Sequence, residues 1–198
     1  MSDIQWDEFI DAYFPASFTW IILSALTALP EYSLGSAFLQ AIFILSWSYW
    51  AHPLGHYLAL IYPFNIMNPH VAIHHNKLII LPRWLELLCE AITNFLGFFL
   101  LSVIQDLLNI HILSKTMLIG YGFLYIAIHI LDYSINGNEK HKKHHENEFC
   151  NYNPEVFDTL FNTRCDPKEP YTNNTNEIIH GVGAFGLAYV LKLAFGLD

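Results

Sequence analysis

Apolar residues gather in solid runs along this chain, separated by short polar stretches. Residues 14–30 (FPASFTWIILSALTALP) carry no charge and end at Pro30. Residues 36–62 form a second, longer run, closed by Pro63. A third covers 85–104, with Glu86 and Glu90 near its start, and a fourth covers 117–133. A helix needs about 20 mainly apolar residues to cross a bilayer, so these four runs are long enough, some only narrowly. The pattern predicts an all-α fold: one domain over 1–198, an integral membrane bundle of about four transmembrane helices. A fifth run, 178–197, contains Gly181, Gly183, Gly186 and Gly196. Glycine weakens a helix by about 1 kcal/mol relative to alanine, so this run reads as a helix lying in or dipping into the interface, with a fifth crossing as the alternative. Residues 134–177 are polar and rich in Asn, Pro and charge, and are expected to form a cap.

Composition sharpens this picture. Charged residues make up 14% of the chain, well under the roughly 25% of soluble domains. The net charge is -9 with no basic stripe, which argues against nucleic acid as a partner. Lys77 and Arg83 lie between runs two and three, and Lys140, Lys142, Lys143, Arg164 and Lys168 follow run four, whereas Lys115 stands alone between runs three and four. Basic loops tend to stay cytosolic, so four crossings place the N-terminus, the 63–84 loop and the 134–177 cap in the cytosol. The opening residues lack the positive region of a secretory signal, so the first run is expected to remain in the mature protein. Cys89, Cys150 and Cys165 are odd in number and widely spaced, and signal neither a disulfide framework nor a thiolate zinc site.

Histidine supplies the candidate chemistry. Eight of the eleven fall into three clusters: His52-x3-His56, His70-x3-His74-His75 and His141-x2-His144-His145. Spacings of three or four put two rings on one helix face, about one turn apart. All three clusters fall on or beside the predicted cytosolic face. Neutral imidazole is a transition-metal ligand, and a nitrogen-rich set without thiolates favours iron, zinc or copper over magnesium or calcium. Eight rings exceed the four of a structural zinc site, so two metals are the simpler arithmetic. A paired iron site beside an apolar cavity can activate dioxygen against an unactivated C–H bond, which no side chain achieves unaided. His129, inside run four, is an intramembrane ionisable group and so a candidate ligand. His180, at the start of the last run, is either a late ligand or a helix cap. His111 is expected on the opposite face and not among the ligands. Asp158, Asn151 and Asp132 are candidates for holding a ligand ring in its tautomer, or for helix capping.

The third cluster is followed by Asn151-Tyr152-Asn153 and then by Phe157-Asp158-Thr159-Leu160-Phe161-Asn162-Thr163. In order and spacing this resembles the fatty acid hydroxylase and sterol desaturase superfamily of membrane di-iron oxygenases. That family typically shows H-x2-HH, then N-Y-G or N-Y-S, then W-D-x-L-F-G-T. The resemblance spans about residues 45–165. Three positions depart: His70 and His74 are separated by three residues where two are usual, Phe157 stands for Trp, and Asn162 for Gly. The resemblance implies a cytosolic helical cap over the metals, a substrate tunnel rising from the membrane, and His129 as a ligand upstream of the third cluster. It also implies two Fe ions (zinc as a substitute in purified material), O2 as co-substrate, and an external electron donor such as cytochrome b5 or a reductase.

The expected function is hydroxylation of a membrane lipid such as a fatty acyl chain or sterol, by a monooxygenase of the endoplasmic reticulum or another internal membrane. Desaturation by the same chemistry is the alternative. The rivals from other classes are a non-catalytic metal-binding membrane protein and a metal transporter. The expected metal ligands are His52, His56, His70, His74, His75, His129, His141, His144, His145 and His180.

Overall fold

A computed structural model describes residues 4–197, and among them every regular element is helical. Asp3, one of the N-terminal acids, lies outside that range. The elements run α1 (Trp6–Thr27), α2 (Leu34–Ala59), α3 (Phe64–Met67), a π-helical segment His70–His75, α4 (Arg83–Leu108) and α5 (Lys115–Ala127). α5 continues without a break into a second π segment, Ile128–Ile135. Then come α6 (Glu139–Glu146), α7 (Glu155–Leu160) and α8 (Ile178–Phe195), the last preceded by a single 3-10 turn.

Five helices are long and apolar enough to cross a membrane: Trp6–Thr27, Leu34–Ala59, Arg83–Leu108, Lys115–Ile135 and Thr175–Phe195. The count exceeds the expected four because the glycine-rich last run forms a helix long and apolar enough to span, the alternative its sequence left open. One of its glycines and one of α5 serve as contact points. Gly181 faces the Trp20 ring of α1, and Gly120 of α5 faces Phe185 of α8, each so close that a side chain would collide. Small residues at such crossings let helices approach closely where lipid supplies no hydrophobic drive. α5 lies at the centre, packed against α8, α4, α2 and α1.

The core joins Trp20, Ala37, Ala41, Ile44, Met117, Leu118, Tyr121 and Phe185. The outward faces remain apolar, with Phe14, Phe18, Ile22, Leu39, Phe43, Ile92, Leu100, Val190 and Leu193 exposed. Apolar surface on this scale marks contact with lipid or protein rather than water. Two buried polar groups inside the bundle show the partners that dry surroundings demand. Tyr121 Oη donates to the Ala41 carbonyl at 3.1 Å, and Lys192 Nζ to the Thr27 carbonyl at 2.9 Å while pairing with Glu31.

One end of the bundle gathers the starts of α1, α4 and α8 and the ends of α2 and α5. The 136–174 stretch folds over that end. It is stitched by a buried ion pair between Lys140 and Glu155, with Arg164 3.8 Å from the same carboxylate and stacked over Tyr171. It is also closed by a disulfide, Cys150–Cys165, with Cα atoms 5.0 Å apart. This corrects the sequence expectation of unpaired cysteines. The pairing depends on the chain folding back between the two, where Asn151 N donates to the Thr163 carbonyl at 2.8 Å and Cys165 N to Asn151 Oδ1 at 2.9 Å. A separation of 15 residues does not announce such a return.

Candidate metal centre

Nine imidazoles converge beneath the cap from four segments. α2 presents His52 and His56 one turn apart, with ring centroids 5.0 Å from each other. The first π segment presents His70, His74 and His75. Its wider turn, marked by Asn76 N donating to the Val71 carbonyl at 2.8 Å, gives the extra residue of His70-x3-His74-His75 a physical account. An i→i+5 turn holds one more residue than an α turn, so His74 and His75 both return to the side of His70. Asn68 docks this segment on α2: its amide donates to the Gly55 carbonyl at 3.2 Å, and its oxygen accepts from His70 N at 3.1 Å. The second π segment carries His129. α6 carries His141, His144 and His145, and its N-terminus is capped by Asn138, which accepts from Lys140 N and His141 N.

Three of the rings, those of His52, His56 and His144, are held from outside, whereas the Nδ1 atoms of His70, His74, His75 and His141 are buried without a hydrogen bond. His52 Nδ1 donates to the Tyr152 carbonyl at 2.5 Å and His144 Nδ1 to the Cys150 carbonyl at 2.7 Å. His56 Nδ1 meets Glu148 Oε2 at 3.2 Å. A proton on Nδ1 leaves Nε2 as a bare lone pair. Those lone pairs point inward. His70 Nε2 lies 3.1 Å from His52 Nε2 and 3.2 Å from His75 Nε2, and His145 Nε2 lies 3.1 Å from His141 Nε2. The Nε2 atoms of His56 and His144 are buried and without a hydrogen bond. Burial, followed by mutual repulsion among neighbouring imidazoles, holds His70, His74, His75 and His141 well below the usual 6.5. The same causes lower His144 to about 3 and His145 to about 4, the Cys150 carbonyl opposing the shift at His144. Neutral, preoriented rings with facing lone pairs repel one another unless a cation sits between them, and this is the donor set a transition metal takes.

The potential ligand atoms fall into groups whose members all lie within 4.8 Å of one another: His52, His56, His70, His75 and His144; His74, Glu90, His129 and His141; and His74, His75 and His145. These groups could hold metal ions. His180 is not in them. Its ring faces Asp132 at 3.0 Å, so both residues are occupied with each other rather than with the cluster. His111 stands with Asp106 at the far end of α4.

Asp158, a candidate for orienting a ligand ring or capping a helix, acts one step further out from the rings. Its carboxylate accepts from Tyr152 N at 2.9 Å, Asn153 N at 2.8 Å and Thr163 Oγ1 at 2.7 Å, so it shapes the loop whose carbonyl holds His52. Asn151 likewise serves the loop, donating to the Lys140 carbonyl at 3.0 Å. Asn153 and Asn162 have φ of 60° and 56°, the left-handed region that asparagine tolerates best after glycine, which is how Asn162 fills a place where glycine is usual in the resembled pattern.

Two carboxylates at the cluster were not singled out from sequence. Glu90 had read only as a charge weakening a span, and Glu148 as one acid among many in a polar stretch. A glutamate 15 residues after the nearest preceding ligand ring, His75, carries no spacing signal. A cavity of about 370 Å3 opens beside the cluster, bordered by His75, His145, Tyr133, Lys77, Arg83 and Lys142. Compared with family models, curated proteins and solved structures, the chain matches none.

Proposed function

We propose that this chain is a membrane oxygenase that holds two iron ions beneath its cap and hydroxylates a membrane lipid. The observation that carries the reading is the nest of nine converging imidazoles, three of them with Nδ1 tied to a carbonyl or a carboxylate and six of them with Nε2 atoms 3.1–3.5 Å from a neighbouring ring's. Bound iron would supply the redox capacity to activate dioxygen against an unactivated C–H bond, which zinc lacks. The chain's own residues do the rest. The Tyr152 and Cys150 carbonyls and Glu148 fix ring orientation, and the apolar bundle below excludes water. Tyr125 and Tyr133 pack on His129 and His141, with ring centroids 5.7 and 5.1 Å apart.

A lipid substrate follows from the five apolar helices and from the position of the cluster at their shared end. Electrons come from an external donor such as cytochrome b5 or a reductase. The basic residues between 140 and 168 favour a cytosolic cap in an internal membrane such as the endoplasmic reticulum, whereas the Cys150–Cys165 disulfide within that cap is a bond of oxidising compartments and favours the opposite side. Hydroxylation is the first reading and desaturation the second, since both begin with abstraction of a hydrogen atom.

Lipid profiling of cells with and without the chain tests this. A product heavier by one oxygen is expected, and a product lighter by two hydrogens would select desaturation. Changing His144 and His145 together to Ala should abolish the product while leaving the protein folded. Undiminished product in that variant, or purified protein free of transition metal, overturns the proposal.

A further inference from the structure

The role of Glu90 deepens the metal-centre reading above and rests on it. Its side chain is fully buried within an apolar spanning helix. A charge in such a place is costly unless paired or bound to a cation. The nearby basic residues, Lys77 and Arg83, pair with Glu86 instead. Ser134 Oγ donates to Glu90 Oε1 at 2.9 Å, while Oε2 is buried without a hydrogen bond. Oε1 lies 2.8 Å from His129 Nε2, yet that nitrogen also lacks a hydrogen bond, so the oxygen is off the N–H direction. Oε2 lies 3.4 Å from His74 Nδ1, which is likewise unsatisfied. Two donor atoms bound to one ion at about 2.1 Å and at right angles stand about 3 Å apart, which is the spacing of Glu90 Oε1 and His129 Nε2. An acceptor that merely oriented a ring would sit along its N–H, as the carbonyls of Tyr152 and Cys150 do.

We infer that Glu90 is a direct ligand of the second metal ion, together with His74, His129 and His141. The two ions are then unlike. One is surrounded by five neutral imidazoles, and the other has three imidazoles and an anionic oxygen. A hard, negative donor at the second position would favour the higher oxidation state of an iron held there.

Full-length protein in detergent, stripped by a chelator and titrated with Co2+, tests the assignment through ion count and visible absorption. Wild type should take up two ions with two distinguishable spectra. Glu90→Ala, or Glu90→Gln if Ala impairs folding, should keep the first and weaken the second more than about 1000-fold. Glu90→His, which returns a donor atom, should recover it. A second ion weakened only ~10–100-fold in Glu90→Ala or Glu90→Gln, the usual effect of an outer partner, overturns direct ligation. So does a second site that Glu90→His fails to recover. Wild type that binds no ion instead overturns the metal centre itself.

Discussion

Asp158 accepts three hydrogen bonds within a few residues of itself, and through them it sets where the Tyr152 carbonyl lies. Removing the carboxylate strands two buried backbone N–H groups and frees the carbonyl that orients His52. Asp158→Ala should therefore cost ~1–3 kcal/mol of stability and lower metal affinity ~10–100-fold. Denaturant unfolding and metal titration in detergent check the two separately. Unchanged affinity would mean that His52 keeps its place without the loop. The imidazoles themselves were legible in the sequence, because histidine is rare enough that clusters stand out. Their partners were not. Two are backbone carbonyls, which have no residue identity, and Glu148 and Glu90 are acids in stretches where an acid has ordinary readings.

Among the elements, the π segment His70–His75 and the glycine-lined crossings of α8 do most to build the site. The sequence places His70, His74 and His75 together but not the turn that unites them, since hydrogen-bond register has no compositional mark. For α8, one of the glycines that argue against a spanning helix, Gly181, is what allows it to pack on α1. Gly181 and Gly183 separate these readings, because a side chain at Gly181 meets the Trp20 ring whereas one at Gly183 meets nothing. Gly181→Leu should destabilise the bundle by ~1–3 kcal/mol, and Gly183→Leu should change it little or improve it slightly. Thermal unfolding in detergent measures both. Equal losses at the two positions would show helix propensity, not contact, to be the governing effect.

At the level of the whole molecule, the apolar runs announced the membrane helices because span length is fixed by bilayer thickness. Their arrangement around α5 was not readable, since most faces of these helices are apolar, although α4 carries a stripe of Glu86, Glu90, Ser102 and Gln105 on its buried side. The nine imidazoles come from α2, both π segments and α6, so ions bound there join parts of the chain far apart in sequence. Binding free energy in such a site adds to folding free energy. Stripping the metal should lower the unfolding temperature and make it depend on added ion concentration. A melting curve indifferent to chelator would count against a shared centre.

The convergence of so many segments on one point would give metal ions held there a second duty. They would act as fasteners as well as reagents of the proposed reaction. A cell short of iron would then be expected to lose the protein itself to its quality-control proteases, so that abundance, and not turnover alone, would track the metal supply.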